Sequence, residues 1–251
     1  MGARVKLQVP GIGEVGGWLA RPEGPPQGGV VVLQEIFGVN AHMRAVTDRY
    51  AREGLLALAP ALFDPVERDA ELTYDEAGFE GGRALAAALG FDRAVAVAGA
   101  AASTLSMLLA PPGGRPAPAT RVQASPEPGE AADRRVAAVG FCWGGSVAFL
   151  ANTRLGLPAV SYYGARTLPV LDEPLRAPML FHFGARDHSI PPADIEAHRR
   201  AHPQAELHVY DAGHGFNRDV DPRHHDPASA RLAHVRTLDF LQRAFRPGAG
   251  H

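Results

Sequence analysis

The stretch that most constrains the fold is residues 136–148, VAAVGFCWGGSVA, where an apolar run stops at Gly140, the only cysteine follows, and small residues open a helix. Such a run reads as a strand buried on both faces of a parallel sheet. Gly140, Cys142 and Gly144 then make G-x-C-x-G, the pattern of the strained strand-to-helix turn called a nucleophile elbow, with cysteine where serine is usual. The glycines have a steric reason, because a Cβ on either neighbour would collide with the adjoining strand or helix. A helix starting at about Trp143 or Gly144 aims unpaired N–H groups and the positive end of its dipole at the sulfur, favouring a thiolate and a developing oxyanion. A buried, inert thiol is the competing reading of this stretch, since free cysteine is among the most buried residue types.

A chain of 251 residues can bury a full core, and one domain over residues 1–251 is expected rather than two. The 25 basic and 27 acidic residues are scattered and leave a net charge of −2, with no footprint of a nucleic-acid or membrane partner. One cysteine excludes an intramolecular disulfide framework and any multi-cysteine zinc site, so a reducing cytoplasmic compartment is expected. Residues 1–10 lack an apolar signal core, and Lys6 stands where a myristoylation signal needs Ser or Thr. Residues 94–110 are short and weakly hydrophobic for a membrane span and read as a buried or half-buried helix. Either a monomer or a small homo-oligomer is compatible with the sequence.

Residues 3–9 and 17–20 read as edge strands joined by GIGEVGG, whose Gly11, Gly13 and Gly16 match a dinucleotide fingerprint. No helix opens after those glycines, so a hairpin is the expected role. Strands are expected at 29–33, 55–59, 135–141, 159–163, 178–183 and 206–210. Helices are expected at 41–53, from 74 through 109 with a break near Gly90, from the elbow to about 154, and at 192–201 and 226–245. The last is amphipathic, with Leu232, Val235, Leu238, Phe240, Leu241 and Phe245 roughly on one side. Strand-then-helix alternation predicts a doubly wound, mostly parallel α/β sheet with helices on both faces and ligands at the carboxyl ends of the strands. Residues 111–133 have no periodicity and read as a surface insertion loop.

A cysteine nucleophile needs a base and a group that orients the base. Asp187 lies just past one strand, in GARDHSIPP, and His214 lies in DAGHGFNRD after the next. The chain order Cys142, Asp187, His214 is nucleophile, acid, histidine, as in α/β-hydrolases. Gaps of 45 and 27 residues leave room for a strand and a crossover helix in each. Asp211 competes for the acid role, although a turn hydrogen bond suits it better. His182 reads as a core histidine. His198 and His202, at i and i+4, could clip a metal but lack an acidic ligand, so a solvated helix face is expected; His224 and His225 read as a helix N-terminal region. Glu35, ending the first buried strand, needs a proton donor as neighbour. That donor is either the Cys142 thiol, held as SH until substrate arrives, or an arginine in a salt bridge.

QEIFGVN at 34–40, GFCWGG at 140–145, ARDHSIPP at 185–192 and GHGFNRD at 213–219 together resemble the dienelactone hydrolase family over residues 3–245. The resemblance implies an α/β-hydrolase fold, a cytoplasmic location, no metal and no organic cofactor. It also implies a triad of Cys142, His214 and Asp187, with Glu35 beside the nucleophile and the backbone N–H groups of Ile36 and Trp143 as an oxyanion hole. Family members hydrolyse dienelactone through a cysteine acyl-enzyme, clamping the substrate carboxylate between two arginines. Arg218 matches one of these, and Arg83 is the single candidate for the other. A small ester or lactone is the expected substrate, dienelactone or a similar carboxylate-bearing lactone foremost. A general carboxylesterase and a non-catalytic thiol redox sensor on the same fold are the alternatives.

Overall fold

The computed structural model describes residues 2–110 and 135–246, so the expected loop at 111–133 lies outside the described residues. Its strands are β1 (Ala3–Val9), β2 (Gly13–Ala20), β3 (Gly29–Leu33), β4 (Leu56–Pro60), β5 (Val136–Phe141), β6 (Ala159–Tyr162), β7 (Met179–Gly184) and β8 (Glu206–Tyr210). They form one sheet in the order β1-β2-β4-β3-β5-β6-β7-β8. The pairings β1 with β2 and β2 with β4 are antiparallel, and every later pairing is parallel. The strands that read as continuous apolar runs, β3, β4, β5, β6 and β7, are buried at every residue, as strands covered on both faces must be. The glycine-rich segment makes the β1–β2 hairpin, with Gly11 and Gly13 at φ of 74° and 108°. A dinucleotide turn is thereby ruled out.

The helices are α1 (Ala41–Arg52), α2 (Glu76–Leu109), α3 (Trp143–Leu155), α4 (Pro192–Ala201) and α5 (Pro227–Ala244). Asn40 caps α1 by accepting the Met43 N–H at 3.1 Å, and Gly90, at φ 72°, breaks α2 where the sequence placed the break. Strand alternation fixes which helix covers which face. Phe181 and Phe183 pack on His198 of α4, and Phe181 also meets Phe149 of α3, whereas the intervening His182 bonds Thr237 of α5. Helices α3 and α4 therefore lie on one face and α5 on the other.

The expected core face of α5 is displaced. Leu232 and Val235 are 45% and 60% exposed, and the buried stripe is Ala230, Ala233, Thr237, Phe240, Leu241 and Ala244. The small residues let the helix sit close, and Thr237 Oγ1 shares hydrogen bonds with Tyr162 Oη at 2.7 Å and His182 Nε2 at 3.0 Å. A stripe chosen by hydrophobicity misses a helix seated through alanines and a hydroxyl.

Candidate active site

Cys142 leaves β5 at φ 54° and ψ −122°, a strained backbone for a side chain that is not glycine. Its N–H donates to the Tyr162 carbonyl at 3.0 Å and its carbonyl accepts from Gly145 N–H at 2.9 Å, which lock the turn. A Cβ at Gly140 would stand 1.8 Å from the Gly144 carbonyl oxygen, and one at Gly144 would stand 2.4 Å from those of Leu33 and Gln34. The two glycines let β5, α3 and the end of β3 touch, and α3 begins directly at Trp143 with Cys142 as its N-cap.

The loops after β7 and β8 bring their side chains to this sulfur. His214 Nε2 is 3.2 Å from Cys142 Sγ, and His214 Nδ1 is 2.8 Å from Asp187 Oδ2. The other Asp187 oxygen accepts the Ser189 N–H at 2.8 Å, so the carboxylate is held on both sides. Burial disfavours an imidazolium at position 214. The sulfur and the Asp187 carboxylate outweigh that burial and raise its pKa to about 10. Asp219 holds the His214 loop onto α1, accepting from His42 and Arg49 at 2.9 Å each. The His42 bond first, then the nearby Arg49, keep the Asp219 carboxyl down at about 2 against the effect of burial.

A cavity of about 690 Å³ opens over Cys142 and His214 and is walled by Ile36, Phe79, Phe91, Trp143 and Ala165, among others. Phe91 stacks on Trp143 at 6.0 Å between ring centroids. Arg83, Arg166 and Ser189 also line it. The N–H groups of Ile36 and Trp143 have no acceptor among the described residues. The sequence reading missed Arg166. The available signal was its place in GARTLP just after the 159–163 strand, on the same carboxyl edge as the other site loops.

Two expectations for charged residues are corrected. Glu35 does not bond the thiol, whose partner is His214; both Glu35 oxygens lie on Arg218, at 3.0 Å from Nε and 2.9 Å from Nη2. The arginine reading of Glu35 is the one realised. Burial alone would push the Glu35 carboxyl up, and the Arg218 guanidinium holds it below the ordinary carboxylate range instead. Arg218, in turn, does not face the cavity. It is 1% exposed, with Asp221 3.5 Å from Nη1 and the rings of Phe37 and Tyr74 at 5.2 and 5.0 Å from its central carbon. The guanidinium is enclosed as the partner of Glu35; of the two arginines expected at the substrate, only Arg83 lines the cavity. His198 and His202 are likewise buried rather than solvated, and His198 Nε2 bonds Thr167 Oγ1 at 2.7 Å. His182, as expected, is a core residue, bonded to Tyr210 and Thr237.

A model of the dienelactone hydrolase family matches residues 15–245. The carboxymethylenebutenolidase of Pseudomonas sp. (strain P51) is 32% identical over 255 residues, covering 95% of this chain and 94% of that one. A candidate carboxymethylenebutenolidase of Escherichia coli (strain K12) is 34% identical over 85% of this chain and 76% of its own. Among solved structures, a candidate dienelactone hydrolase from Klebsiella pneumoniae subsp. pneumoniae superposes with a TM-score of 0.75 at 28% identity, over 96% of this chain and 98% of that one. The sheet order, the elbow and these matches agree on an α/β-hydrolase fold. The chain belongs to the dienelactone hydrolase family, and with it to the lactone and ester hydrolases.

Proposed function

We propose that this protein hydrolyses a small ester or lactone through an acyl-cysteine, with Cys142 as nucleophile, His214 as acid and base, and Asp187 orienting the imidazole. The observation that carries the reading is the unbroken chain Asp187–His214–Cys142, at 2.8 and 3.2 Å, at the wall of a cavity. The His214 pKa, raised to about 10, favours an imidazolium beside the nucleophile. The thiolate adds to the substrate carbonyl, forming the C–S bond, and the C=O electron pair moves to oxygen. The free N–H groups of Ile36 and Trp143 receive that oxyanion, each contributing about 3 kcal/mol of barrier lowering. Collapse breaks the C–O bond, and His214 Nε2 gives its proton to the leaving alkoxide. Water then loses a proton to His214 and adds to the thioester. The second collapse expels the thiolate and frees the acid.

A carboxylate-bearing lactone of the dienelactone type suits the cationic lining from Arg83 and Arg166. The apolar walls at Phe79 and Phe91 favour a second reading, a carboxylesterase of neutral esters. The test is turnover of 4-nitrophenyl acetate and of dienelactone by the wild type, Cys142→Ala and His214→Gln, with intact-mass spectrometry after a single addition of the acetate ester. The expected result is loss of turnover in both variants and an acetyl adduct in His214→Gln that is missing from Cys142→Ala. Unchanged rates in Cys142→Ala would remove the nucleophile assignment. Reversible peroxide oxidation of Cys142 with no hydrolysis by the wild type would make the protein a thiol sensor instead.

A further inference from the structure

The lining of the Cys142 cavity holds two guanidinium groups and no carboxylate. Arg83 comes from α2 and Arg166 from the turn after β6, and neither has an acidic partner among the described residues. Unpaired cations on a concave, mostly apolar wall create a positive potential that selects anionic ligands.

The backbone beneath Arg166 is unusually constrained. Tyr163 leaves β6 at φ 41°, in the left-handed region, with its N–H donating to the His182 carbonyl at 2.8 Å. At Gly164 a Cβ would stand 2.9 Å from the Gly145 carbonyl carbon, so the turn presses on the start of α3. Arg166 N–H donates to Ser146 Oγ at 3.1 Å, and Thr167 Oγ1 meets His198 Nε2 at 2.7 Å. His198 Nδ1 is bonded to the Asp194 carbonyl at 2.7 Å and donates there, so Nε2 accepts from the threonine hydroxyl. Strain in a bulky residue persists only where its surroundings enforce it, and it gathers at ligand sites.

Sheet order puts the two cations on opposite sides of the sulfur. β3 lies on one side of β5, and β6, β7 and β8 lie on the other. Gly82, next to Arg83, is so close to the residue after β3 that a Cβ would stand 2.1 Å from the Ile36 carbonyl oxygen. Arg166 shares its side with Ser189 and His214. A leaving oxygen must come within reach of His214 to be protonated, so the alcohol half of a substrate extends toward Arg166 and the acyl half toward Arg83.

We propose that Arg83 and Arg166 form a split anion clamp, so that the preferred substrate is an ester with one carboxylate on its acyl half and a second anionic group on its alcohol half. The proposal rests on the acyl-cysteine reading above. A cavity of about 690 Å³ accommodates such an extended molecule and exceeds the needs of a five-membered lactone.

The test uses the full-length protein and four esters followed by pH-stat: ethyl acetate, monoethyl succinate, acetoxyacetate and the succinate half-ester of glycolate. The readout is the ratio of kcat/KM for each anionic ester to that for ethyl acetate. Arg166→Gln should lower the acetoxyacetate ratio roughly 10- to 100-fold, as expected for loss of a charge-assisted pair, and Arg166→Lys should restore part of it. Arg83→Gln should lower the monoethyl succinate ratio instead. Ratios that stay constant, or equal losses on all four esters, overturn the clamp. Hydrolysis of the four esters without discrimination by charge overturns the clamp alone, whereas no hydrolysis of any ester overturns the acyl-cysteine reading beneath it.

Discussion

Replacing Arg218 by Met separates a buried structural cation from a substrate ligand. Glu35 is fully buried and spends both oxygens on Arg218, so the variant leaves a carboxylate in the core with no ion-pair partner in contact. Breaking a buried pair from one side typically costs about 3–5 kcal/mol. Methionine keeps apolar contact with Phe37 and Tyr74 but loses the cation–π attraction, a further ~0.5–2 kcal/mol. Asp221 retains Arg223 and His224, at 3.0 and 2.7 Å, and adds little to the loss. For a chain of this size the pair alone amounts to a fall in Tm of roughly 6–20 °C. The sign of the pH dependence follows from Glu35. Its carboxyl is depressed in the wild type, so its contribution is present above the unfolded pKa and disappears as pH falls through the folded value. In Arg218→Met burial outweighs the remaining pull of His42 and His214, the folded pKa rises, and the deficit shrinks on acidification. The assay is equilibrium urea unfolding at several pH values for Arg218→Met, Glu35→Leu and the double variant, which should recover most of the loss because two apolar residues replace the pair. A deficit below about 1 kcal/mol, with a selective rise in KM for anionic esters, would refute the reasoning and return Arg218 to the substrate.

Gly140→Ala places a methyl 1.8 Å from the Gly144 carbonyl oxygen and should abolish turnover with a Tm loss or insolubility, read by activity and thermal melts. Asp187→Asn should keep the fold by circular dichroism and lower kcat by roughly 10³- to 10⁴-fold, since the imidazole loses its orienting charge. Stability owed to the His214 charge is fully present below the ordinary pKa of 6.5 and is lost as pH rises through about 10, so His214→Gln should flatten the decline of Tm across that window. Thr237→Val removes the hydroxyl shared by Tyr162 and His182 and should cost about 1–3 kcal/mol in urea unfolding.

What could be read from the sequence was whatever depends on local chemistry. The buried strands announced themselves as continuous apolar runs, and the elbow announced itself through glycines with no room for a Cβ. Cys142, Asp187 and His214 converge because each sits just past a parallel strand, and parallel strands end on one edge. The α5 face was misread because Ala233 and Thr237 carry little hydrophobic signal yet seat the helix, while Leu232 and Val235 carry much and point away. His198 and His202 show the same limit: helical spacing gives their common face, not whether that face meets water or the Phe149 and Phe181 rings.

Arg218 and Arg166 show why charges resist such reading most. A guanidinium reaches many partners from one backbone position, so its role is decided by which carboxylate the fold leaves within reach. Position 218 follows the tight turn at Gly215, at φ 76°, which folds the side chain inward onto Glu35 at the end of β3. Position 166 follows a turn whose backbone is held from α3 and α4, leaving the side chain at the cavity with no carboxylate to occupy it. Burying one cation against Glu35 steadies the residue adjoining Ile36, whose N–H is proposed to receive the oxyanion. Leaving the other unpaired keeps its charge available for an incoming anion. If Arg218 did both tasks, every substrate would have to compete with a buried carboxylate for the same fork, at the several kcal/mol that breaking such a pair involves. Dividing the tasks between two arginines removes that competition.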